Sequence, residues 1–188
     1  LIWCRNGFAG KIYGVDIMPE AVELCRLSAD KNSFGEFFSP ICADLRRLKG
    51  ILSSGTFDLV TMNPPYKRVG SGARSANDAL NAARNEELCT IDDIVAAGKY
   101  LLKFGGRLCL CSRTERLTDT ICTMRGAGIE PKRLRMVIQR VGRRPSLFLI
   151  EGRKGGRPGL NVMPDLVIEE KGGWSEEMKN IYGSFADR

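Results

Sequence analysis

The run Phe57 to Met62, followed at once by Asn63-Pro64-Pro65-Tyr66, limits what this chain can fold into more than any other stretch. A short, mostly apolar run of this length reads as a parallel strand covered on both faces. Two prolines then stop it, because neither can donate a backbone hydrogen bond and each fixes its own φ. A residue before proline is pushed out of the helical region, so Asn63 and Pro64 are both expected to be extended. The product is a stiff peptide at the carboxyl end of a strand, where open α/β sheets bind their ligands.

That tip has a definite chemistry. Asn63 brings a side-chain carbonyl and an amide, Pro64 a carbonyl, and Tyr66 a flat apolar face. Two oxygens can accept the hydrogens of a planar group's NH2 while the ring stacks on its face. The plainer alternative is a proline turn with a buried tyrosine.

Upstream, Lys11 to Ile17 reads as a strand ending in an acid. Pro19 opens an amphipathic helix to about Asn32, with Val22, Cys25 and Ala29 as its apolar stripe. Asp16 stands where an acid in a nucleotide-binding sheet accepts hydrogen bonds from ribose hydroxyls; capping the helix is its alternative use. The next strand lies within Glu36 to Leu45 and ends near Cys42. Asp44 follows, with capping of the basic turn Arg46-Arg47 as its local role.

Beyond the tip, Lys67 to Asn77 is a polar loop carrying Lys67, Arg68 and Arg74. A helix from about Ile91 to Leu102 turns Ile91, Ile94, Val95 and Leu101 or Leu102 inward, and Phe104-Gly105-Gly106 ends it. A strand over Arg107 to Ser112 and a helix over Arg113 to Arg125, closed by Gly126 and Gly128, come next. Leu134 to Gln139 and Ser146 to Glu151 form a hairpin around Arg140, Arg143 and Arg144, candidates for phosphate contacts. A Gly-rich basic turn from Gly152 to Gly159, an edge strand at Leu166-Val167-Ile168 and a short helix from Glu176 to Ile181 complete the chain. The alternation predicts an α/β fold with a doubly wound, mostly parallel sheet and a C-terminal antiparallel hairpin, residues 1–188 forming a single domain.

Composition narrows the class. Hydrophobic content of 43% and charged content of 27% over 188 residues exclude a disordered chain. No apolar run is long enough to span a bilayer and no secretory signal is visible, so no membrane partner and a cytoplasmic location are expected. The net charge of +7 suits a polyanionic partner. The seven cysteines are scattered and expected to be reduced and mostly buried, with Cys109 and Cys111 on one face of a strand. With no histidine and no C-x-x-C, no metal site is expected.

Asn63-Pro64-Pro65-Tyr66 is similar to the signature of S-adenosylmethionine-dependent methyltransferases of amino groups, chiefly adenine N6 in DNA or RNA and the glutamine amide of release factors. Four further segments extend the likeness: Ala83-Arg84-Asn85-Glu86, Leu102-x-x-Gly105-Gly106-Arg107, Pro131-Lys132-Arg133-Leu134-Arg135 and Glu151-Gly152-Arg153-Lys154-Gly155-Gly156. Through them the whole chain resembles the bacterial family that methylates N6 of an adenine beside the anticodon of valine tRNA. The resemblance implies a Rossmann-like methyltransferase fold, S-adenosyl-L-methionine as cofactor and tRNA as partner.

The same resemblance assigns roles. Asn63, Pro64, Pro65 and Tyr66 are the catalytic grip on the amine. Asp16, Ile17, Asp44, Leu45 and Asn63 are cofactor-binding, with Asp44 accepting from the cofactor's adenine amine and Leu45 packing on its ring. Lys67, Arg68, Arg74, Arg140, Arg143 and Arg144 are the candidates for tRNA. The family's Asp-x-Gly-x-Gly-x-Gly loop has no match before Lys11, so the chain is expected to be truncated at its N-terminus, without the first strand and that loop. Two alternatives stand beside this reading: a DNA adenine or release-factor glutamine methyltransferase, and an RNA-binding remnant that no longer holds cofactor.

Overall fold

Residues 10–63 and 89–183 are described by the computed structural model. Contacts cluster into two units, Leu1–Leu52 and Ser53–Arg188, and the division falls in the Gly50 to Gly55 loop. In the first unit, β1 (Ile12–Asp16) pairs in parallel with β2 (Phe38–Cys42), Asp16 lying beside Cys42. Parallel strands need a crossover, and α1 (Pro19–Lys31) provides it, with its proline at the first turn. Val22 and Ala29 are buried beneath it. Cys25, expected in that stripe, is exposed instead, as are Leu24 and Leu27. Two strands cover only a narrow strip of a helix, and Cys25 lies roughly 60° round the helix from Val22, outside that strip. A single 3-10 turn (Leu45–Arg47) follows β2.

The second unit begins with β3 (Phe57–Met62), then α2 (Ile91–Leu101), β4 (Leu102–Arg113), a 3-10 turn (Thr114–Arg116) and α3 (Leu117–Gly126). It continues with β5 (Ile129–Ile138) and β6 (Leu147–Lys154). Its strands run in the order β3-β4-β6-β5, with β7 (Asn161–Val162) and β8 (Leu166–Val167) both against β5. The pair β3–β4 is parallel, whereas β4–β6 and β5–β6 are antiparallel, so the expected C-terminal hairpin forms. The short antiparallel pair β9 (Glu169–Glu170) and β10 (Gly173–Trp174) leads to α4 (Glu176–Tyr182).

Helix α2 starts with a capping box between Thr90 and Asp93, which satisfies two end N–H groups reciprocally. Its Ile94, Val95 and Leu101 enter the core with Leu108, Leu110, Phe148, Ile150, Met124 and Ile129. Gly98 lets the helix ride close to β4: a Cβ there would sit 2.9 Å from Leu108 Cδ1.

Four expectations need correction. β3 is not covered on both faces within its unit: Val60 is buried, Asp58 and Thr61 are exposed, and the strand ends the sheet. Nor does Phe104-Gly105-Gly106 terminate α2. The helix passes directly into β4, and those residues form a bulge, since Phe57 pairs with Leu102 while Leu59 pairs with Arg107. Gly105 adopts φ +77° there, which only glycine takes freely. Lys154 Nζ staples this junction by donating to the carbonyls of Lys99 (2.7 Å) and Leu102 (2.6 Å). Third, β6 runs to Lys154, so Gly152 is a buried strand residue rather than the start of a turn. Fourth, Cys25, Cys42 and Cys122 are exposed and Cys89, Cys109 and Cys111 half-buried, so the thiols are less buried than expected. Cys109 and Cys111 do share one face of β4, opposite Leu108 and Leu110.

The tail is clasped by one arginine. Arg135 donates to Glu177 through Nη1 (2.5 Å) and Nη2 (2.6 Å), and its Nε to the Pro164 carbonyl (2.8 Å). Trp174 packs on Tyr182 with ring centroids 4.9 Å apart.

Two measurements check this packing. A Cβ on Gly152 would run into Met124 and Ile129, so Gly152→Ala should cost about 1–3 kcal/mol in urea unfolding. Arg135 holds the Glu177 carboxyl below its ordinary value of 4.5. A depressed carboxylate contributes stability that is present above the ordinary value and is lost as pH falls through the folded one. The near-ultraviolet dichroism of the Trp174–Tyr182 pair should therefore hold at neutral pH and fall on acidification below 4.5, and Glu177→Gln should show the loss already at neutral pH.

Candidate active site

In the first unit the carboxyl ends of β1 and β2 bring Asp16, Ile17, Asp44 and Leu45 to one end of a parallel pair. Asp16 is exposed. Its Oδ1 accepts from the Met18 N–H at 2.9 Å, an Asx turn that starts α1. Among the described residues no hydrogen bond reaches its Oδ2. Helix capping, the alternative use weighed for Asp16, is not what it does: Met18 is the N-cap residue of α1 and no side chain caps it. Ile17 is exposed, and its carbonyl accepts weakly from the Cys42 thiol at 3.8 Å.

Asp44 is more heavily used. Its Oδ1 accepts from the Arg46 backbone N–H (2.9 Å) and Nε (3.0 Å), and its Oδ2 from Arg46 Nη2 (2.6 Å). The local role foreseen for Asp44, capping the basic turn, is therefore present. The same guanidinium holds the Asp44 carboxyl below the usual carboxylate range. Arg46 is the residue that sequence reasoning missed as a partner: an arginine two positions after an acid in a tight turn was the available signal. Leu45 beside it is half-buried.

In the second unit Asn63 follows the last residue of β3 and is exposed, not packed in the core. Pro64, Pro65, Tyr66, Lys67, Arg68, Arg74 and the Ala83-Arg84-Asn85-Glu86 segment lie outside the described residues. Strand register carries the basic hairpin turn to the same end of the sheet. Met62 pairs with Leu110, and Arg113, three residues on, pairs with Leu147 at the start of β6. The turn is two strands from Asn63, roughly 10 Å across the sheet. Gln139, Arg140, Gly142, Arg143 and Arg144 line an open concavity of about 590 Å³ there. Arg140 is not a spare cation, because Nε and Nη2 both reach Glu169 Oε2 at 2.7 Å. Arg143 and Arg144 meet no carboxylate among the described residues.

The residues fit an adenosine-bearing cofactor in one place and resist it in another. Asp16 offers an outward oxygen suited to a ribose hydroxyl. Asp44 is ionised and so an acceptor, but the Arg46 guanidinium fills the oxygens an adenine amine would use. Among the described residues no three metal-ligating side chains cluster, and no helix is long and apolar enough to cross a membrane.

Comparison with known proteins agrees with this architecture. The model of the family described as the RMKL-like methyltransferase domain matches residues 5–124. The tRNA1(Val) (adenine(37)-N6)-methyltransferase of Porphyromonas gingivalis is 27% identical over 111 residues, which are 58% of this chain and 43% of that protein. The chain therefore spans less than half the length of the curated relatives it matches. A protein of Agrobacterium tumefaciens described as a predicted O-methyltransferase superposes with a TM-score of 0.72 at 20% identity, over 94% of this chain and 78% of the other. A SAM dependent methyltransferase of Aquifex aeolicus superposes with a TM-score of 0.54 at 15% identity, over 79% and 71%. The family match runs through more than half of the chain, which belongs to the family of RMKL-like methyltransferase domains and has the Rossmann-like fold of methyltransferases whose cofactor is S-adenosylmethionine.

Proposed function

We propose that this chain, as one methyltransferase domain of residues 1–188, transfers a methyl group to the exocyclic N6 amine of an adenine in a cytoplasmic tRNA. The observation that carries the reading is an exposed asparagine directly after a parallel strand, with Pro64-Pro65-Tyr66 next in sequence. The name of the Porphyromonas gingivalis relative supports the substrate, and the net charge of +7 supports a polyanion. The family match crosses the division at Leu52, which supports a single domain.

An adenine amine is a poor nucleophile because its lone pair is delocalised into the ring. When the Asn63 side-chain oxygen and the Pro64 carbonyl accept its two hydrogens, the nitrogen can turn tetrahedral and free that pair. Tyr66 stacks on the base, and Pro65 keeps the peptide stiff. S-adenosylmethionine, when bound, supplies an already activated methyl, so positioning does most of the work. Asp16, with Ile17 beside it, takes a ribose hydroxyl, and Asp44 and Leu45 the cofactor's adenine once Arg46 yields an oxygen. The target base must leave its stack, which is easier in a loop than in a duplex. Arg143 and Arg144 contact flanking phosphates, with Lys67, Arg68 and Arg74 as further candidates.

With the full-length protein and unmodified tRNA, Asn63→Ala should lower kcat by about 10²–10³. Undiminished turnover would remove the residue from the chemistry, and methylation of a release factor in preference to tRNA would reassign the substrate. Asp16→Asn should weaken S-adenosylmethionine binding about tenfold by calorimetry, the loss of one hydrogen bond to a charged acceptor. In Arg46→Gln the Asp44 carboxyl should titrate higher than in the parent protein, because the guanidinium that lowers it is gone; carboxyl ¹³C shifts followed against pH read this out.

A further inference from the structure

At the far end of the β5–β6 hairpin, where β6 runs out, an aromatic ring stands in solvent. Phe104 is 81% exposed at the crest of the bulge in β4. It is nevertheless held. Its ring lies where a Cβ on Gly155 would be, and Gly155 has φ +68° besides, so glycine is required there on two counts. A Cβ on Gly106 would sit 2.9 Å from the Lys103 carbonyl oxygen and 3.0 Å from that of Phe57. The Gly155 backbone thus lies against the ring, while the exposure of the side chain leaves most of it to solvent.

Cations lie on the segments beside it. The Arg153 guanidinium lies against Gly105, with Nε donating to the Gly105 carbonyl at 3.1 Å. Lys132 Nζ donates to the Arg157 carbonyl at 3.1 Å, and Arg157, two residues past Gly155, is exposed. Among the described residues none of these three meets a carboxylate. The nearest acids in the sheet are engaged elsewhere: Asp58 by Lys103, and Glu130 by Arg125 at 3.2 Å. Other arginines on this protein, Arg26, Arg46, Arg135 and Arg140 among them, are paired with acids.

An exposed ring with cations that meet no carboxylate on the neighbouring segments is the complement of an unpaired nucleobase and its phosphates. We propose that Phe104 is a stacking platform for an unpaired base of a nucleic acid, with Arg153, Arg157 and Lys132 on the adjoining phosphates. The surface is separate from the Asn63 tip. Five residues of β4 lie between Phe104 and Leu110, the partner of Met62, and the bulge takes up part of that length, so the two are roughly 15 Å apart along the sheet. A strand touching both would run along the hairpin. The proposal extends the tRNA reading but stands on binding alone.

The test is fluorescence anisotropy with a single-stranded oligoribonucleotide, the same sequence as single-stranded DNA, and a matched RNA duplex. Phe104→Leu, which keeps an apolar side chain without a ring, should lose about five- to hundredfold in affinity for the single strands and leave the duplex unchanged. Phe104→Trp should bind at least as well as the parent. Arg153→Gln and Arg157→Gln should each flatten the plot of log affinity against log salt by about 0.7. Thermal melting, expected unchanged for a ring this exposed, controls for folding. Parent-like binding by Phe104→Leu, or a preference for the duplex, overturns the platform. So does a Phe104→Leu defect confined to association with another protein. Failure of the methyl-transfer reading would appear separately, as full turnover in Asn63→Ala with these affinities intact.

Discussion

Alternation along β4 is the constraint on which the second unit rests. Leu108 and Leu110 are almost wholly buried and turn towards the helix side, where Gly98 of α2 meets Leu108 and Met124 of α3 meets Gly152 on the next strand. The residues between them point the other way. A slip of one position would drive Arg107 and Cys109 into the core. On that second face a register row runs Thr61, Cys109, Glu151, Arg133 across four strands. Glu151, mostly covered, lies 3.6 Å from Arg107 and 3.8 Å from Arg133, two loose pairs. Burial, and then the Glu151 charge, push the Cys109 thiol up to about 11, so it stays protonated and unreactive at neutral pH.

Charge elsewhere is used locally. Asp44 goes to Arg46, Asp58 to Lys103, Glu130 to Arg125, Glu169 to Arg140 and Glu177 to Arg135. Exposed pairs of this kind add little stability; their consequence here is where the surplus of positive charge is left. The sequence holds 29 basic and 22 acidic residues, and among the described residues cations that meet no carboxylate stand at both ends of one hairpin: Arg143 and Arg144 at one, Lys132, Arg153 and Arg157 at the other. Both ends are suited to a polyanion, and the second also carries the exposed Phe104 ring.

Much of this was legible in the sequence, and the failures have physical causes. Period-two and period-3.6 patterns located β1, α1, β2, β3, α2, α3 and the hairpin, because each buries a face and the burial fixes the period. The ending of β3 at Asn63 followed from proline chemistry alone. Phe104-Gly105-Gly106 misled because a Gly-Gly pair after a helix has the same appearance whether it ends the helix or bulges a strand; only the partner strand decides. Gly152 misled because its need for space is set by Met124, 28 positions away in sequence. For the candidate site, the acids Asp16 and Asp44 were legible from their places after strands. The occupation of Asp44 by Arg46 was not, since it depends on a side-chain torsion and not on spacing.

The junction of α2 and β4 has a consequence for how such a chain can change over generations. Leu101 closes the helix and Leu102 opens the strand with no residue between them. Helix and strand advance by about 1.5 and 3.3 Å per residue, so one codon gained or lost on either side would rotate or flip everything after it. Lys103 to Gly106 is looped out between the Phe57–Leu102 and Leu59–Arg107 pairs, yet it too is fixed, because Arg153 holds the Gly105 carbonyl and Gly106 has no room for a side chain. Across descendants of this gene, length should therefore stay constant from Leu101 to Leu108, bulge included, with gains and losses displaced to segments that tie no helix to a strand.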